Sequence, residues 1–188
     1  KKDDVVVHLA WSCIPVTSEI NKKNDIERNL IGSINLLDVC KERGIKKFVF
    51  MSSGGTVYGR SEKRPHKELS PTMPKSFYGA LKLAVEKYIE VYYHLYGLNF
   101  VIIRLANVYG RIQLGTQPQW AVDIFLKKAI EDDPILVRGD GETIRDYIYI
   151  QDVVNFVVKA INNDSIFGIY NLGTGVGTSL NKLVKIIG

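Results

Sequence analysis

The sequence predicts an α/β protein in which helices cover the faces of a doubly wound parallel sheet. Short apolar runs alternate with longer segments of helical periodicity along most of the chain. The runs are apolar on both faces, which is typical of buried parallel strands rather than half-exposed antiparallel ones. Each connection between two runs is long enough for a right-handed crossover through a helix.

Five segments make up the first part of this pattern. The predicted strands are rich in β-branched and aromatic residues, and the predicted helices repeat apolar residues every three or four positions. A glycine directly follows the last helical position in each case. In chain order the segments are strand 4–10, helix 25–43, strand 47–53, helix 76–96 and strand 99–105.

The pattern changes after Gly110. A helix is expected over residues 119–131, a glycine turn follows, and residues 144–150 form a further strand. Asp152 is expected to cap a helix that runs to about residue 162. A strand over residues 168–172 then leads to a glycine-rich turn and the start of another helix. A second, smaller region therefore interleaves with the sheet.

Composition excludes several classes of protein. The 188 residues are 46% hydrophobic and 24% charged, an ordinary globular balance, and the formal net charge is +5. The basic residues are scattered among acidic ones, unlike the concentrated patch of a nucleic-acid-binding protein. No apolar stretch is long enough to span a membrane. The two cysteines, Cys13 and Cys40, fit a reducing compartment, so we expect a cytoplasmic protein.

The carboxyl ends of the predicted strands define the expected ligand site, because ligands of open parallel sheets bind there. Small and hydroxyl-bearing residues follow these strands and leave both room and polar groups for a ligand. They occupy residues 8–10, 52–56 and 104–107. His66 and His94 lack acidic or cysteine neighbours at ligand spacing, so no metal site is expected.

Tyr78 and Lys82 are the candidate catalytic pair. They lie four residues apart near the start of a predicted helix, so both side chains project from one face. A phenol is a poor base at neutral pH, and lowering its pKa by about three units takes roughly 4 kcal/mol of phenolate stabilisation. A neighbouring ammonium and a cationic cofactor ring supply such stabilisation. The alternative is a packed tyrosine beside a solvated lysine, and spacing alone leaves that alternative open.

Seven short motifs, in order along the chain, carry a resemblance to a known family. They cover residues 7–10, 29–37, 50–59, 78–82, 104–110, 145–152 and 171–175. The chain resembles the extended short-chain dehydrogenase/reductases, and among them the NAD-dependent sugar-nucleotide epimerases and dehydratases. The run Ser-Ser-Gly-Gly-Thr-Val-Tyr-Gly is most similar to 4-epimerases of UDP- or undecaprenyl-diphosphate-linked hexoses and N-acetylhexosamines.

The resemblance implies a role for each matching position. Tyr78 is the catalytic acid and base, and Lys82 binds the nicotinamide ribose and lowers the pKa of Tyr78. Ser53 and Thr56 assist with their hydroxyls. The remaining implied contacts are Leu9, Ala10, Asn29 and Ser52 with NAD, and Gly54, Asn107 and Arg145 with the substrate. Arg145 suits a diphosphate, although an ion pair with Asp146 or Asp152 is an open alternative.

The chain departs from the family in two places. Gly54 stands where the family carries a third site hydroxyl, and Ser53 or Thr56 are the candidates to replace it. The glycine-rich turn that binds the cofactor pyrophosphate is not found after the first strand. The turn at residues 173–177 is no substitute, because it does not open a βαβ unit.

The resemblance thus implies a Rossmann-like sheet that lacks its first strands, with part of a substrate domain. Residues 1–110 are assigned to the NAD-binding domain and residues 111–188 to the substrate-binding region. We expect the 188 residues to be a piece of a longer protein, and to be inactive and bind NAD weakly by themselves.

The implied activity is NAD-dependent 4-epimerisation of a nucleotide-linked hexose through a 4-keto intermediate. A 4,6-dehydratase or a reductase of the same family is the alternative, although dehydratases favour an Asp-Glu pair where Gly55 and Thr56 stand. A non-catalytic binding or oligomerisation module is a further alternative. The family also implies a homodimer through the helices at 25–43 and 76–96.

Overall fold

The computed structural model describes residues 3–60, 65–110 and 120–188, and these form two compact units. The first unit contains the residues up to Leu105 together with Phe156–Leu172. The second contains Ala106–Asn155 and Gly173–Gly188. The chain therefore leaves the first unit after its third strand and returns to it for a fourth.

A four-stranded parallel sheet forms the centre of the first unit. Its strands are β1 (Val5–His8), β2 (Lys47–Ser53), β3 (Asn99–Leu105) and β6 (Gly168–Leu172), hydrogen-bonded in that order. All four are strands that the sequence predicts. The fold class is confirmed, as a partial sheet of the Rossmann type.

Helices cover both faces of this sheet, because alternate strand residues point to opposite sides. On one face, α3 (Gly32–Glu42) and α5 (Phe77–Tyr96) pack over a core that includes Phe48, Phe50 and Ile102. On the other face lies the later part of α7 (Ile150–Asn162), which packs through Ala160 against the opposite set of strand residues.

The helix predicted over residues 25–43 is interrupted. It consists of α2 (Lys22–Asp25), a π-helical segment (Ile26–Ile31) and α3. Two shorter helices are α1 (Pro15–Ser18), which comes after the loop that follows β1, and α4 (Gly54–Val57), which follows β2 directly. In contrast, α5 matches its prediction: the Ser76 side chain accepts a hydrogen bond from Gly79 N at its start, and Gly97 ends it.

The second unit holds a small mixed sheet. Its strands are β4 (Asn107–Tyr109), β5 (Ile144–Tyr149) and β7 (Gly177–Ser179), with β4 parallel and β7 antiparallel to β5. Two helices, α6 (Ala121–Ile130) and α8 (Leu180–Ile187), join it around a core of Val122, Phe125 and Leu183. Asp152 does not cap α7 as expected, because that helix already begins at Ile150.

No helix among residues 3–60, 65–110 and 120–188 is both long and apolar enough to cross a membrane.

Candidate active site

The predicted pair lies on the first turns of α5, where the structure places both side chains on one face. Lys82 Nζ is 5.8 Å from the centroid of the Tyr78 ring. Lys82 is buried and donates a 2.7 Å hydrogen bond to the carbonyl oxygen of Met51 in β2. This bond fixes the ammonium near the carboxyl end of β2.

Burial dominates the protonation of both groups. It raises the pKa of Tyr78 to about 12, with the nearby Cys13 and Asp25 acting in the same direction. It lowers the pKa of Lys82 to about 7, against the opposing influence of Cys13 and Glu86. The lowering of the Tyr78 pKa by Lys82 that the resemblance implies stays a prediction for the site with its cofactor, because in the chain alone desolvation of the phenolate sets the direction of the shift.

The hydroxyls that follow Met51 have different environments. Ser52 is buried and donates its hydrogen bond to the Glu86 carboxylate, whereas Ser53 ends the strand half-buried. Thr56 Oγ1 is buried without a hydrogen-bond partner. Among the described residues, Ser53 and Thr56 therefore have hydroxyls that no side chain or backbone group engages, whereas the Ser52 hydroxyl is committed to Glu86.

Gly54 has a structural reason to lack a side chain. A Cβ atom built there would lie 3.0 Å from the carbonyl oxygen of Arg104 and 3.4 Å from that of Leu105. A hydroxyl-bearing residue at this position would push against the backbone of β3. The departure from the family pattern at Gly54 thus accompanies a close approach of α4 and β3.

Gly79 allows an equally close approach on the other side of α4. A Cβ atom there would lie 2.8 Å from Thr56 O and 3.1 Å from Thr56 Cβ. Because Gly79 follows Tyr78 directly, this contact sets Thr56 beside the start of α5. The Tyr-Gly order in the sequence therefore serves packing as well as chemistry.

The loop after β1 carries two exposed apolar residues, Leu9 and Ala10. Asn29 holds this loop: its Oδ1 accepts a 2.9 Å hydrogen bond from Ser12 N, and its Nδ2 donates to Asp25 Oδ1 at 2.8 Å. Asn29 lies within the π-helical segment, a type of irregularity that is frequent at functional sites.

Asp25 extends this network. Its carboxylate is buried and accepts hydrogen bonds from Ser18 Oγ and, at 3.0 Å, from Cys13 Sγ. Burial and the Asp25 hydrogen bond raise the pKa of Cys13 to about 11, so the thiol stays protonated at neutral pH. Cys13 is therefore a hydrogen-bond donor here and not a nucleophile.

Asn107 and Arg145 belong to the second unit. Asn107 Nδ2 donates a 3.1 Å hydrogen bond to Asp146 O. Arg145 is exposed, and its Nη1 donates to Ile144 O at 2.9 Å. Within the described part of the chain its guanidinium forms no ion pair with Asp146 or Asp152, which leaves the charge available to an anion.

The glycine-rich turn of the second unit is occupied by a carboxylate of the protein itself. Asp146 accepts hydrogen bonds from Thr174 N at 3.0 Å and from Gly175 N at 2.8 Å, and also from the Thr174 hydroxyl. Backbone amides arranged in this way bind anions, and here the anion is internal. This agrees with the prediction that the turn is not a dinucleotide-binding loop.

Trp11 and Glu86 escape the sequence analysis, and Arg104 lies within its predicted ligand-site residues 104–107 without a predicted partner. Trp11 lies over Lys82, with its ring centroid 3.7 Å from Nζ. Glu86 and Arg104 form a buried ion pair behind Ser52. Arg104 has a visible signal, an arginine inside an apolar strand that requires a buried acceptor, but the sequence does not say which acidic residue provides it.

The residues present fit the nicotinamide half of NAD. The Lys82 ammonium uses one described hydrogen bond, to Met51 O, and has further N–H groups for ribose hydroxyls. Thr56 Oγ1 is buried and unpartnered next to Gly79 at the start of α5, and the exposed Leu9 suits an apolar ring. No trio of metal-binding side chains occurs among the residues that the structure describes.

The first unit thus combines a parallel sheet with a tyrosine and a lysine four residues apart near the carboxyl end of β2, the arrangement on which the resemblance rests. A family model described as the NAD dependent epimerase/dehydratase family matches residues 1–173. The chain belongs to this family, and NAD is the cofactor of the family.

Three relatives illustrate the likeness. A putative UDP-glucose 4-epimerase of Methanocaldococcus jannaschii is 37% identical over 194 residues, covering 100% of this chain and 61% of the relative. The UDP-glucose 4-epimerase of Thermotoga maritima, solved with UDP-glucose, superposes with a TM-score of 0.92 at 35% identity, over 98% of this chain and 60% of that one. The Thermus thermophilus UDP-glucose 4-epimerase, solved with NAD, superposes with a TM-score of 0.88 at 35% identity, over 99% of this chain and 61% of that one. The chain thus spans about three fifths of each of these proteins.

Proposed function

We propose that the protein catalyses the NAD-dependent 4-epimerisation of a nucleotide-linked hexose. The observation that carries this proposal is the Tyr78–Lys82 pair, held on one face of α5 with the ammonium bonded to Met51 O at the end of β2. A non-catalytic binding or oligomerisation module would have no need of both the tyrosine and the lysine. Gly55 and Thr56, in place of an acidic pair, favour epimerisation over dehydration.

In the proposed reaction, Tyr78 takes the proton from the 4-hydroxyl of the sugar and returns it after the 4-keto sugar has turned over. Burial holds the pKa of Tyr78 high in the chain alone, and the positive charge of the oxidised cofactor would lower it, so that Tyr78 releases its proton to solvent and accepts the 4-hydroxyl proton as the phenolate. Bound NAD supplies the group that takes hydride from C4 and gives it back. Thr56 Oγ1 orients the reacting oxygen, and Ser53 lines the same strand end.

For the phosphate-bearing half of the substrate we propose Asn107 and Arg145. A guanidinium binds phosphate oxygens in a bidentate manner, and Arg145 has its charge unpaired among the described residues. The substrate class is a UDP-linked hexose or N-acetylhexosamine, with a lipid-diphosphate-linked sugar as the other source of the same diphosphate chemistry.

The experiment is the Tyr78→Phe substitution in the full-length protein, assayed with UDP-glucose and UDP-N-acetylglucosamine. Loss of the proton-transferring group is expected to lower turnover by about 100- to 10,000-fold while the far-UV spectrum stays unchanged. Tyr88→Phe, at an exposed position of the same helix, is the matched control and retains activity. Activity close to wild type in Tyr78→Phe contradicts the proposal.

Product analysis separates the related activities. Epimerisation leaves the mass of the sugar nucleotide unchanged, whereas dehydration removes one water and reduction adds two hydrogens. A product lighter by one water assigns the protein to the dehydratases instead.

We also propose a cytoplasmic homodimer formed through the helices over residues 25–43 and 76–96, which are the π-helical segment with α3, and α5. These helices expose apolar side chains that the described residues leave uncovered, namely Ile31, Val39, Tyr88, Val91, Leu95 and Tyr96. Monomer-dimer equilibrium of the full-length protein, with Val91→Asp and Leu95→Asp as disrupting variants, tests the interface. Residues 1–188 alone are expected to bind NAD weakly, because β1 is not followed by a glycine-rich phosphate turn.

A further inference from the structure

Trp11 occupies a central place in the site that neither the sequence motifs nor the proposed reaction explains. It lies in the loop after β1, next to Ala10. Its ring is edge-on to Tyr78, with centroids 6.0 Å apart and an interplanar angle of 74°. It also contacts Phe50, with centroids 6.1 Å apart. The indole therefore lies between the core under β2 and the catalytic helix.

The face of the indole covers the Lys82 ammonium. Nζ is 3.7 Å from the Trp11 ring centroid, 4.9 Å from that of Phe50 and 5.8 Å from that of Tyr78. Tryptophan gives the strongest cation–π attraction of the aromatic residues, and the attraction is larger when the cation is desolvated. Lys82 is 5% exposed, so this condition is met. On the other side the ammonium bonds to Met51 O.

Apolar packing alone does not account for an indole at this position. Its Nε1 is buried and lacks a well-formed hydrogen bond, and the polar group beside it is the Cys13 thiol, whose pKa the indole lowers slightly against the larger effect of burial. Buried tryptophan N–H groups usually have a partner, and leaving one without costs stability. A leucine would fill apolar space without that cost, so the ring face itself is the feature that the site uses.

We propose that Trp11 is a positioning residue of the Tyr78–Lys82 pair, whose ring face holds the ammonium against β2 and whose bulk keeps water from the phenol. This inference rests on the proposed function for the catalytic role of Tyr78 and Lys82. The contacts of Trp11 from which it is argued belong to the chain itself and involve no ligand.

The charged and titratable groups that face Lys82 are known from each element packed against it. They are His8 on β1, Cys13 in the following loop, and Tyr78 and Glu86 on α5. Trp11 touches one of them, since the indole lowers the pKa of Cys13, and phenylalanine and leucine both lack the indole N–H and remove this effect alike. A change in the titration of Lys82 between two Trp11 variants of similar size therefore reports the ring face.

The experiment compares Trp11→Phe with Trp11→Leu in the full-length protein without substrate. The titration of Lys82 is followed by NMR of its ¹³Cε, assigned with Lys82→Met. Phenylalanine keeps an aromatic face and leucine does not, so the midpoint in Trp11→Phe is expected to be about one pH unit higher, a tenfold difference in the ionisation constant. Trp120→Phe and Trp120→Leu are the matched controls and leave the midpoint unchanged.

Equal midpoints in the two Trp11 variants overturn the proposal. If Trp11→Leu does not fold, Trp11→Met provides an apolar side chain of larger volume for the same comparison. The titration needs no turnover, so its outcome is independent of the Tyr78→Phe assay. If the Lys82 midpoint is higher in Trp11→Phe than in Trp11→Leu, while the Tyr78→Phe protein stays active, the proposed function is refuted and the positioning role of Trp11 stands.

Discussion

Glu86 and Arg104 form an ion pair in the interior of the first unit, with Glu86 Oε2 2.7 Å from Arg104 Nη2 and the two side chains 0% and 2% exposed. Arg104 Nη1 donates further hydrogen bonds to Tyr58 Oη and Glu68 O, at 2.8 and 2.9 Å. The pair therefore links the catalytic helix, β3 and the segment after α4.

Removing one partner of this pair is expected to be strongly destabilising. Arg104→Met leaves the Glu86 carboxylate buried without its cation and should lower the free energy of unfolding by about 3–5 kcal/mol, measured by urea denaturation. The double variant Glu86→Leu with Arg104→Met should recover much of this loss. Lys87→Ala, which breaks the exposed pair with Glu90, is the control and should cost less than about 1 kcal/mol. Equal losses at the two sites would contradict the buried pair.

Lys82 is expected to make stability depend on pH. Its pKa is about 7 in the folded chain, below the 10.5 of an ordinary lysine, so between these values the unfolded state binds the extra proton. Folding stability should therefore rise with pH from about 7 to 10, and the cost of the buried charge should be fully present below pH 7. Lys82→Met should lack this rise. Parallel stability curves for the two proteins over this range would disprove the assignment.

Lys47 is expected to stabilise the end of α7. Its Nζ donates to the carbonyl oxygens of Ala160 and Asn163, each at 2.8 Å, and the residue is 2% exposed. Lys47→Met removes the donors and should lower the free energy of unfolding by about 1–3 kcal/mol. Lys46→Met, at the exposed neighbour that pairs with Asp164, is the control and should change it by less than about 1 kcal/mol. Hydrogen exchange at the end of α7 should accelerate in the first variant alone.

Gly79 and Gly55 provide a matched pair of helical glycines. Alanine normally stabilises a helix relative to glycine by about 0.5–1 kcal/mol. Gly55→Ala meets nothing within 4 Å and should show no loss, whereas Gly79→Ala places a carbon 2.8 Å from Thr56 O and should lose about 1–3 kcal/mol. Thermal unfolding of both variants measures the difference. A stabilised Gly79→Ala protein would show that α4 and α5 are not in close contact.

The strands and α5 were predictable because their signals are local. Each strand shows as an apolar run, and α5 shows as an apolar repeat of helical spacing that ends at the glycine after Tyr96. The four-residue spacing of Tyr78 and Lys82 places them on a common face of that helix. The π-helical segment was not predictable, because its side-chain pattern reads as an ordinary helix. The hydrogen bond from Ser12 N to Asn29 in this segment joins residues 17 positions apart.

The contacts between side chains within the site were equally unpredictable from the sequence. Arg104 is 18 residues from Glu86, and Lys82 meets Trp11 only after β1 and α5 have packed on the same face of the sheet. The direction in which the Tyr78 pKa shifts also depends on folding, since burial and the neighbouring Cys13 and Asp25 raise it. Sequence spacing predicts that Tyr78 and Lys82 share a helix face, whereas packing decides their burial and the direction of their pKa shifts.

The π-helical segment also makes the exact number of residues between Asp25 and Gly32 important for the hydrogen bonds of the site. An α-helix turns by about 100° per residue, so deleting one residue from Ile26–Ile31 would restore regular winding but rotate one end of the helix by that angle. If the lost residue is Leu30 or Ile31, which lie between Asn29 and Ser33, Asn29 could then reach Ser12, or Ser33 could reach His8, but not both. We expect natural variants of this protein to tolerate substitutions in this segment more readily than the loss of a single residue.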